Sequence, residues 1–328
     1  MRMRIPKRQF HTLLGLIFLI LALSSCAMQS AAIRAVSNVM TGSGEGGNAF
    51  TSDNDPEFVE DALPFAIKLY ETLLQADPEN PALYLSTGSL YISYANAFLQ
   101  SKAALLPITQ HEERATLLSR ARNLYLRGHS YVLQGLALES PKVLPNGFEQ
   151  PAELTAAKKQ DVPYLYWAAA GILGALSTDP MSSALGVRAP AGVAMANRAL
   201  ELQPDYNRGA IHDILLSYYG GAPASLGGSQ ERAREHFRES VRLGEGSKPG
   251  PYVALATTVA IQNQDMQEFV SLLEQALEVD IEKDPDNQLV NVLSQRKARY
   301  YLKNRDNYIL DPGASDEDEW AAWDDWEE

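Results

Sequence analysis

Cysteine is almost absent from this chain of 328 residues: Cys26 is the only one. A disulfide within the chain is excluded, and stability must come from packing. Positive charge is also scarce, with 28 Lys and Arg against 41 Asp and Glu and a formal charge of −13. Nucleic acid is a poor partner on that balance, because neutralising phosphates needs a basic face, and paired cations such as Lys158-Lys159 stand isolated. Long apolar runs are missing. The stretch from Leu13 to Leu23 has 11 residues, whereas a helix needs about 20 to cross a bilayer. Catalytic patterns are missing too: no nucleophile elbow, no lipid-hydrolase signature and no carboxylate pair located by spacing. His111, His129, His212 and His236 form no i,i+4 pair and no metal-ligand motif. These absences predict a protein that is no enzyme, uses no cofactor and holds no metal.

What is present begins with MRMRIPKR, which carries four positive charges and no negative one. The apolar stretch follows, and Leu23-Ser24-Ser25-Cys26 closes it, an order that predicts a signal peptide over 1–25. Its ending is similar to a bacterial lipobox, in which diacylglycerol is added to the cysteine and cleavage leaves that residue first. Cys26 is therefore the expected lipidation site, and acyl chains would tether the chain to a membrane. Ala27 in place of Asp points to the outer membrane, with the protein facing the periplasm. Removing residues 1–25 takes away four basic groups and no acidic one, so the charge of −13 becomes −17. Residues 26–55 contain TGSGEGGNAFTSDND, the composition of a flexible tether.

From Asp55-Pro56 to about residue 305 the apolar spacing is helical, and Asp or Asn before Pro marks helix starts. Leu83, Thr87, Leu90, Tyr91, Tyr94 and Phe98 share one helical face, as do Leu117, Ala121, Leu124, Tyr125, Gly128, Val132 and Gly135. The glycines in the second set would let a neighbouring helix approach closely. Further helices are expected at 163–177, 190–202, 206–219, 230–243, 251–263, 265–279 and 287–303. Several are joined by one recurring turn, as in ETLLQADPENPALY, RALELQPDYNRGAIH and QALEVDIEKDPDNQLV. This turn resembles the junction between tetratricopeptide repeats. The spacing is irregular, 45 residues from Pro204 to Pro249 and 36 from Pro249 to Pro285. The expected fold is all-α: degenerate tetratricopeptide-like helical repeats stacked into one compact superhelical domain.

The ordered set of segments carries more than any one of them. DALPFAIKLYETLLQADPENPALYLSTGSLYISYANAF at 61–98, ARNLYLRGHSYVLQGL at 121–136, YLYWAAAGILGALSTDP at 164–180, RALELQPDYNRGAIHDILLSYYGGAPASLGGSQERAREHF at 198–237 and LVNVLSQRKARYYL at 289–302 follow the lipobox in turn. Together they resemble the TatT family, the lipid-anchored tetratricopeptide-repeat T components that accompany a class of tripartite ATP-independent periplasmic (TRAP) transporters. The resemblance implies a homotrimer with a channel or cavity through each protomer. It also implies a partner, a periplasmic solute-binding protein that docks on the trimer and exchanges a small, hydrophobic ligand. The competing reading is a repeat scaffold for protein–protein contacts in envelope assembly.

Aromatic clusters are the candidates for a ligand-lined interior: Tyr91, Tyr94 and Phe98; Tyr164, Tyr166 and Trp167; Tyr218 and Tyr219. His212 lies on the helix of the last pair, and the small residues Ala97 and Ala169 stand where a passage would have room. For each cluster the alternative is ordinary helix packing. GGAPASLGGS at 220–229 offers Gly220, Gly221, Gly227 and Gly228, but no strand precedes it and no Lys-Ser/Thr follows, so it is no phosphate cradle. A helix break with Ser229 as the next N-cap, or a role at a channel mouth or subunit contact, remain the readings. The closing segment is 306–328, and its residues 311–328 hold nine acidic side chains with Trp320, Trp323 and Trp326. It is either a solvated tail or a segment that docks on its own scaffold or on a basic partner.

Overall fold

Polar side chains followed by proline start the first helices, as their sequence suggests. The Asp55 carboxylate accepts from the Phe58 amide at 3.1 Å, and the Asn80 side chain accepts from Ala82 and Leu83 at 3.1 and 3.3 Å. The computed structural model describes residues 50–144 and 151–310. Cys26, the signal peptide, the glycine-rich tether through Ala49 and the acidic segment with Trp320, Trp323 and Trp326 lie outside the described residues.

Among the described residues every regular element is helical, and the protein is an all-α repeat fold. In chain order, α1 is Pro56–Ala76 and α2 is Pro81–Tyr94; α2 runs on through a π-turn, Ala95–Gln100, into Ser101–Leu105. Then come α3, His111–Glu139, α4, Val162–Thr178, α5, Ser183–Leu202, and α6, Ala210–Gly221. α7 is Gln230–Leu243, and α8 is Gly250–Leu255, which also continues through a π-turn, Ala256–Ala260, into Ile261–Asn263. The series ends with α9, Met266–Glu278, and α10, Gln288–Lys303. No helix among the described residues is long and apolar enough to cross a membrane.

Two expected boundaries move. α5 begins at Ser183 instead of 190, with Pro190 inside the helix on an exposed face, where its ring does not intrude on the core. The helix expected from 206 begins at Ala210, because Asn207, Arg208 and Gly209 have φ of 43°, 53° and 88°. Two consecutive non-glycine residues in the left-handed region are strained, and side-chain contacts hold them there. The Arg208 guanidinium reaches the Gly244 carbonyl and Ser247 Oγ, both at 3.1 Å, and the buried Asp284 carboxylate at 3.2 Å.

Sequence neighbours stack on one another. α2 and α3 meet at Gly88 and Gly128, where a Cβ on either would fall 2.7 or 2.6 Å from the carbonyl oxygen of the other. α4 is buried on most sides, with Val162, Leu165, Ala168, Ala169 and Ala175 at 0% exposure. The main core runs from Ile92 to Ile309, so the packed body continues past residue 305.

The last helix meets the first. Arg296 of α10 holds Glu57 of α1 through both carboxylate oxygens, and the Leu289 amide donates to the Thr51 carbonyl at 3.0 Å. The Tyr300 hydroxyl donates to the Leu106 carbonyl at 3.0 Å. A small second cluster fills this seam: Val59 and Leu63 from α1, Phe98 from the first π-turn, and Leu289 and Leu293 from α10. An open solenoid leaves its terminal helices apart. Here the last helix packs against the first, so the stack closes on itself.

Candidate functional site

The candidate residues fall into four places. Tyr91 belongs to a polar knot between α1, α2 and α3. Its hydroxyl donates to Glu71 at 2.6 Å, Tyr131 donates to the same oxygen at 3.0 Å, and the two rings stack at 5.9 Å. Arg127 lies over the Tyr91 ring and donates to its hydroxyl at 3.3 Å. Burial, and next the Glu71 carboxylate, push the Tyr131 phenol up to about 12. Tyr91 is sealed at 3% exposure.

Tyr94 and Phe98 stand at the seam, with ring centroids 5.4 Å apart. Phe98 is buried in the small cluster, while half-buried Tyr94 touches both that cluster and the main core. Ala97 beside them is half-buried.

Tyr166 and Trp167 lie near the start of α4. Tyr166 contacts Trp167 at 5.1 Å and Tyr206 at 5.2 Å, so the left-handed stretch after α5 presents a third ring to this pair. Burial drives the Tyr166 phenol far above its ordinary range and pushes Tyr206 up to about 12. Both rings nevertheless keep accessible surface, and neither hydroxyl has a hydrogen bond. Tyr164 and Ala169, by contrast, are core residues at 6% and 0% exposure. Ala169 is fully enclosed in the main core, so no passage runs past its methyl.

The structure brings His212, Tyr218, Tyr219 and the glycine loop together. The Tyr218 hydroxyl donates to the Leu226 carbonyl inside the loop, and the Ser229 amide donates to the Tyr219 carbonyl at 2.8 Å. Gly220 lets α6 approach α8, for a Cβ there would run into Thr258 Oγ1. Gly227 has φ of 92°, and a Cβ on Gly228 would overlap the Ala222 carbonyl oxygen. Ser229 caps α7 as expected, its hydroxyl accepting from the Arg232 amide at 3.3 Å. Gly221 is exposed. The turn and the helix contacts thus account for Gly220, Gly227 and Gly228.

Sequence reasoning missed the histidine pair. His212 and His236 face each other across α6 and α7 with Nδ1 atoms 2.9 Å apart and centroids 5.1 Å apart. The centroid distance exceeds the nitrogen distance by nearly two ring radii, so each nitrogen aims at the other. This is an N–H donating to a lone pair, whereas two ligands of one metal would converge at an angle. Burial lowers both imidazoles, His236 to about 4, and keeps the pair neutral near pH 7. Tyr219 stacks on His236 at 5.5 Å, and the Arg232 guanidinium lies over the Tyr219 ring at 4.1 Å. Next to them Asp213 accepts from Ser240 and Lys248. Among the described residues no group of three or more His, Cys, Asp or Glu is placed to hold a metal. A surface hollow beside Arg234, Asp265 and Ser271 is occupied by its own ion pair, Arg234 donating to Glu268 at 2.8 Å.

The profile of the TRAP transporter T-component family matches residues 52–309, which is the whole packed body. The chain belongs to that family. It is similar to an uncharacterized protein of Treponema pallidum (strain Nichols), with 36% identity over 267 residues, covering 80% of this chain and 83% of that protein. The family is an accessory part of TRAP transport. Sequence reasoning also passed over Lys297, half-buried on α10.

Proposed function

We propose that this TRAP T-component is a lipoprotein, anchored through Cys26 to the outer membrane and facing the periplasm. As a homotrimer it docks the solute-binding protein of its transport system and holds or passes a small apolar ligand through the interior of each protomer. The observation that carries this reading is the family match over 52–309, which covers every helix from α1 to α10 and ends at Ile309. The contact between α1 and α10 supports it, since a solenoid whose end helices meet can enclose its concave face. The deep, unsealed rings of Tyr166 and Tyr206 support it too, as groups that would line such an interior.

The test uses the acylated full-length protein in lipid vesicles. The cognate solute-binding protein passed over them should bind saturably, and sedimentation of the Cys26→Ser chain, expected in the soluble envelope fraction, should give a trimer mass. A monomer at micromolar concentration that retains no solute-binding protein would overturn the proposal.

A further inference from the structure

α10 is a basic helix in an acidic protein. Its sequence, QLVNVLSQRKARYYLK, has Arg296, Lys297, Arg299 and Lys303 and no Asp or Glu, although the chain carries a formal charge of −13. α7 has four arginines as well, but Glu231, Glu235 and Glu239 alternate with them. Helical spacing puts Arg296, Arg299 and Lys303 on one face of α10, with Tyr300 at its edge. Arg296 is matched by Glu57. Arg299 and Lys303 are exposed, and no carboxylate among the described residues pairs with either; the Arg299 guanidinium reaches only the Gln295 side chain, at 3.5 Å.

An apolar border lies beside these cations. The Tyr300 hydroxyl and the Arg114 guanidinium both donate to the Leu106 carbonyl, which sets the loop after α2 against this part of α10. Two residues further along that loop, Ile108 is 43% exposed, and Tyr300 itself is half-buried. Unmatched cations next to an aromatic and an aliphatic side chain fit a segment that carries both carboxylates and indoles.

Such a segment follows directly in the chain. Residues 311–328 hold nine acidic side chains, no basic one, and Trp320, Trp323 and Trp326. They leave the packed body close to α10: the Leu310 amide donates to Gln264 at 2.9 Å, and Tyr308 packs on Tyr301 of α10 at 4.9 Å. The ten residues from Leu310 to Trp320 span up to about 33 Å, more than the length of α10, whose 16 residues extend about 24 Å. A rival face lies on the outside of α1, where Phe58 and Phe65 are 66% and 75% exposed. Glu57 and Asp61 stand exposed on the same turns, however, and would repel an acidic segment.

We infer that residues 311–328 fold back onto α10 of their own chain, with carboxylates on Arg299 and Lys303 and indoles packed on Tyr300, Ile108 and the Arg299 guanidinium. The segment is then a strap over the helix that closes the stack. Ion pairs on a solvated face are individually weak, so the indoles hold the strap and the charges select the face. The family match ends at residue 309, so the strap is a feature of this chain beyond the matched body.

Two measurements test this. The chain from residue 26 onward, carrying Cys26→Ser and Trp167→Phe, retains tryptophan only at 320, 323 and 326. Acrylamide, a neutral quencher, reads their exposure. Arg299→Glu combined with Lys303→Glu is expected to raise the quenching constant about twofold and to leave the melting temperature nearly unchanged, because both side chains are solvated. The second measurement needs no substitution in α10. A carbodiimide, which joins an amine to a carboxylate in contact with it, is expected to link Lys303 to carboxylates between Asp316 and Glu328. In a mixture of isotope-labelled and unlabelled protein the linked peptides should share one label. Quenching that the double substitution leaves unchanged overturns the inference, as does the absence of a link at Lys303. Links that join labelled to unlabelled peptides would give the face to a second copy and overturn the strap within one chain.

Discussion

The stack of α2, α3 and α4 and the seam between α10 and α1 are both helix interfaces, yet they are built by opposite means. In the stack, glycines bring backbones together and the one buried base is satisfied: His129, at 6% exposure, donates from Nδ1 to the Ala168 carbonyl at 2.8 Å. At the seam, a few large apolar side chains and an exposed ion pair join residues far apart in sequence, and the half-buried base there, Lys297, has no partner. The stack is optimised for stability. The seam instead leaves one half-buried cation with neither a hydrogen bond nor an ion pair.

The largest effect should come from overfilling the stack. A Cβ at Gly128 would lie 2.6 Å from the Gly88 carbonyl oxygen and 2.7 Å from Ile92, so Gly128→Val forces two backbones apart. The expected loss is about 3 kcal/mol or more, since neither backbone has room to yield. Chemical denaturation should show it as a lower midpoint for the whole chain. A shift under about 1 kcal/mol would mean that the helices are less tightly joined than described.

Acid should test the stack next. Burial lowers the His129 imidazole to about 4 from an ordinary value of 6.5, so between those limits the unfolded chain binds more protons than the folded one. Stability therefore falls as pH drops from 6.5 through 4, by roughly 3 kcal/mol for this group. The His212–His236 pair, also lowered by burial, adds in the same direction. His129→Gln should flatten the melting temperature between pH 6.5 and 5 relative to the unsubstituted protein. An unchanged slope would place the acid sensitivity elsewhere.

At the seam, Leu293→Ala removes a side chain of 8% exposure from the small cluster, for an expected cost of about 2 kcal/mol, near the lower limit for such truncations. The distinguishing result is where the loosening appears. Hydrogen exchange should accelerate in α10 and the start of α1 while α3 and α4 stay protected. Uniform acceleration would show that the seam and the stack unfold as one unit.

Much of the stack was legible in the sequence, because its signals are local. Asp55-Pro56 and Asn80-Pro81 start helices by chemistry visible within four residues, and Gly128 and Gly135 mark close approach on a face that periodicity defines. Pro190 misled for the same reason: a proline reads as a helix start unless the turn before it, here Ser183 to Ala189, is seen to be helical. The closing contact was not legible, since Arg296 and Glu57 are 239 residues apart. Lys297 was hidden among Arg296, Arg299 and Lys303, because the sequence does not show which of these cations lacks a partner. The histidine pair was invisible because His212 and His236 meet only when α6 and α7 pack, and neither shares a spacing motif. The aromatic clusters were readable as clusters, but which rings are sealed, as Tyr91 is, and which stay accessible, as Tyr166 does, depends on contacts from α5 and α6.

The smallest expected effect contrasts the seam with the stack most directly, because it has the opposite sign. Lys297 titrates near 8 in the folded protein and at its ordinary 10.5 when unfolded, so between these values the unfolded chain holds the extra proton. Stability contributed by this group accordingly rises as pH increases from about 8, until the buried tyrosines intervene. Their phenols ionise at ordinary values near 10 only in the unfolded chain, which then lowers stability. The useful window is thus pH 8 to 10. Lys297→Met removes the unpaired charge and should raise stability at pH 7 by about 1 kcal/mol, the low end for replacing a buried ionic group because the side chain is not fully sealed. Its advantage over the unsubstituted protein should shrink as pH climbs through that window. A methionine variant less stable than the parent at pH 7 would show that the ammonium already has a favourable partner, and the seam would then be built on the same principle as the stack.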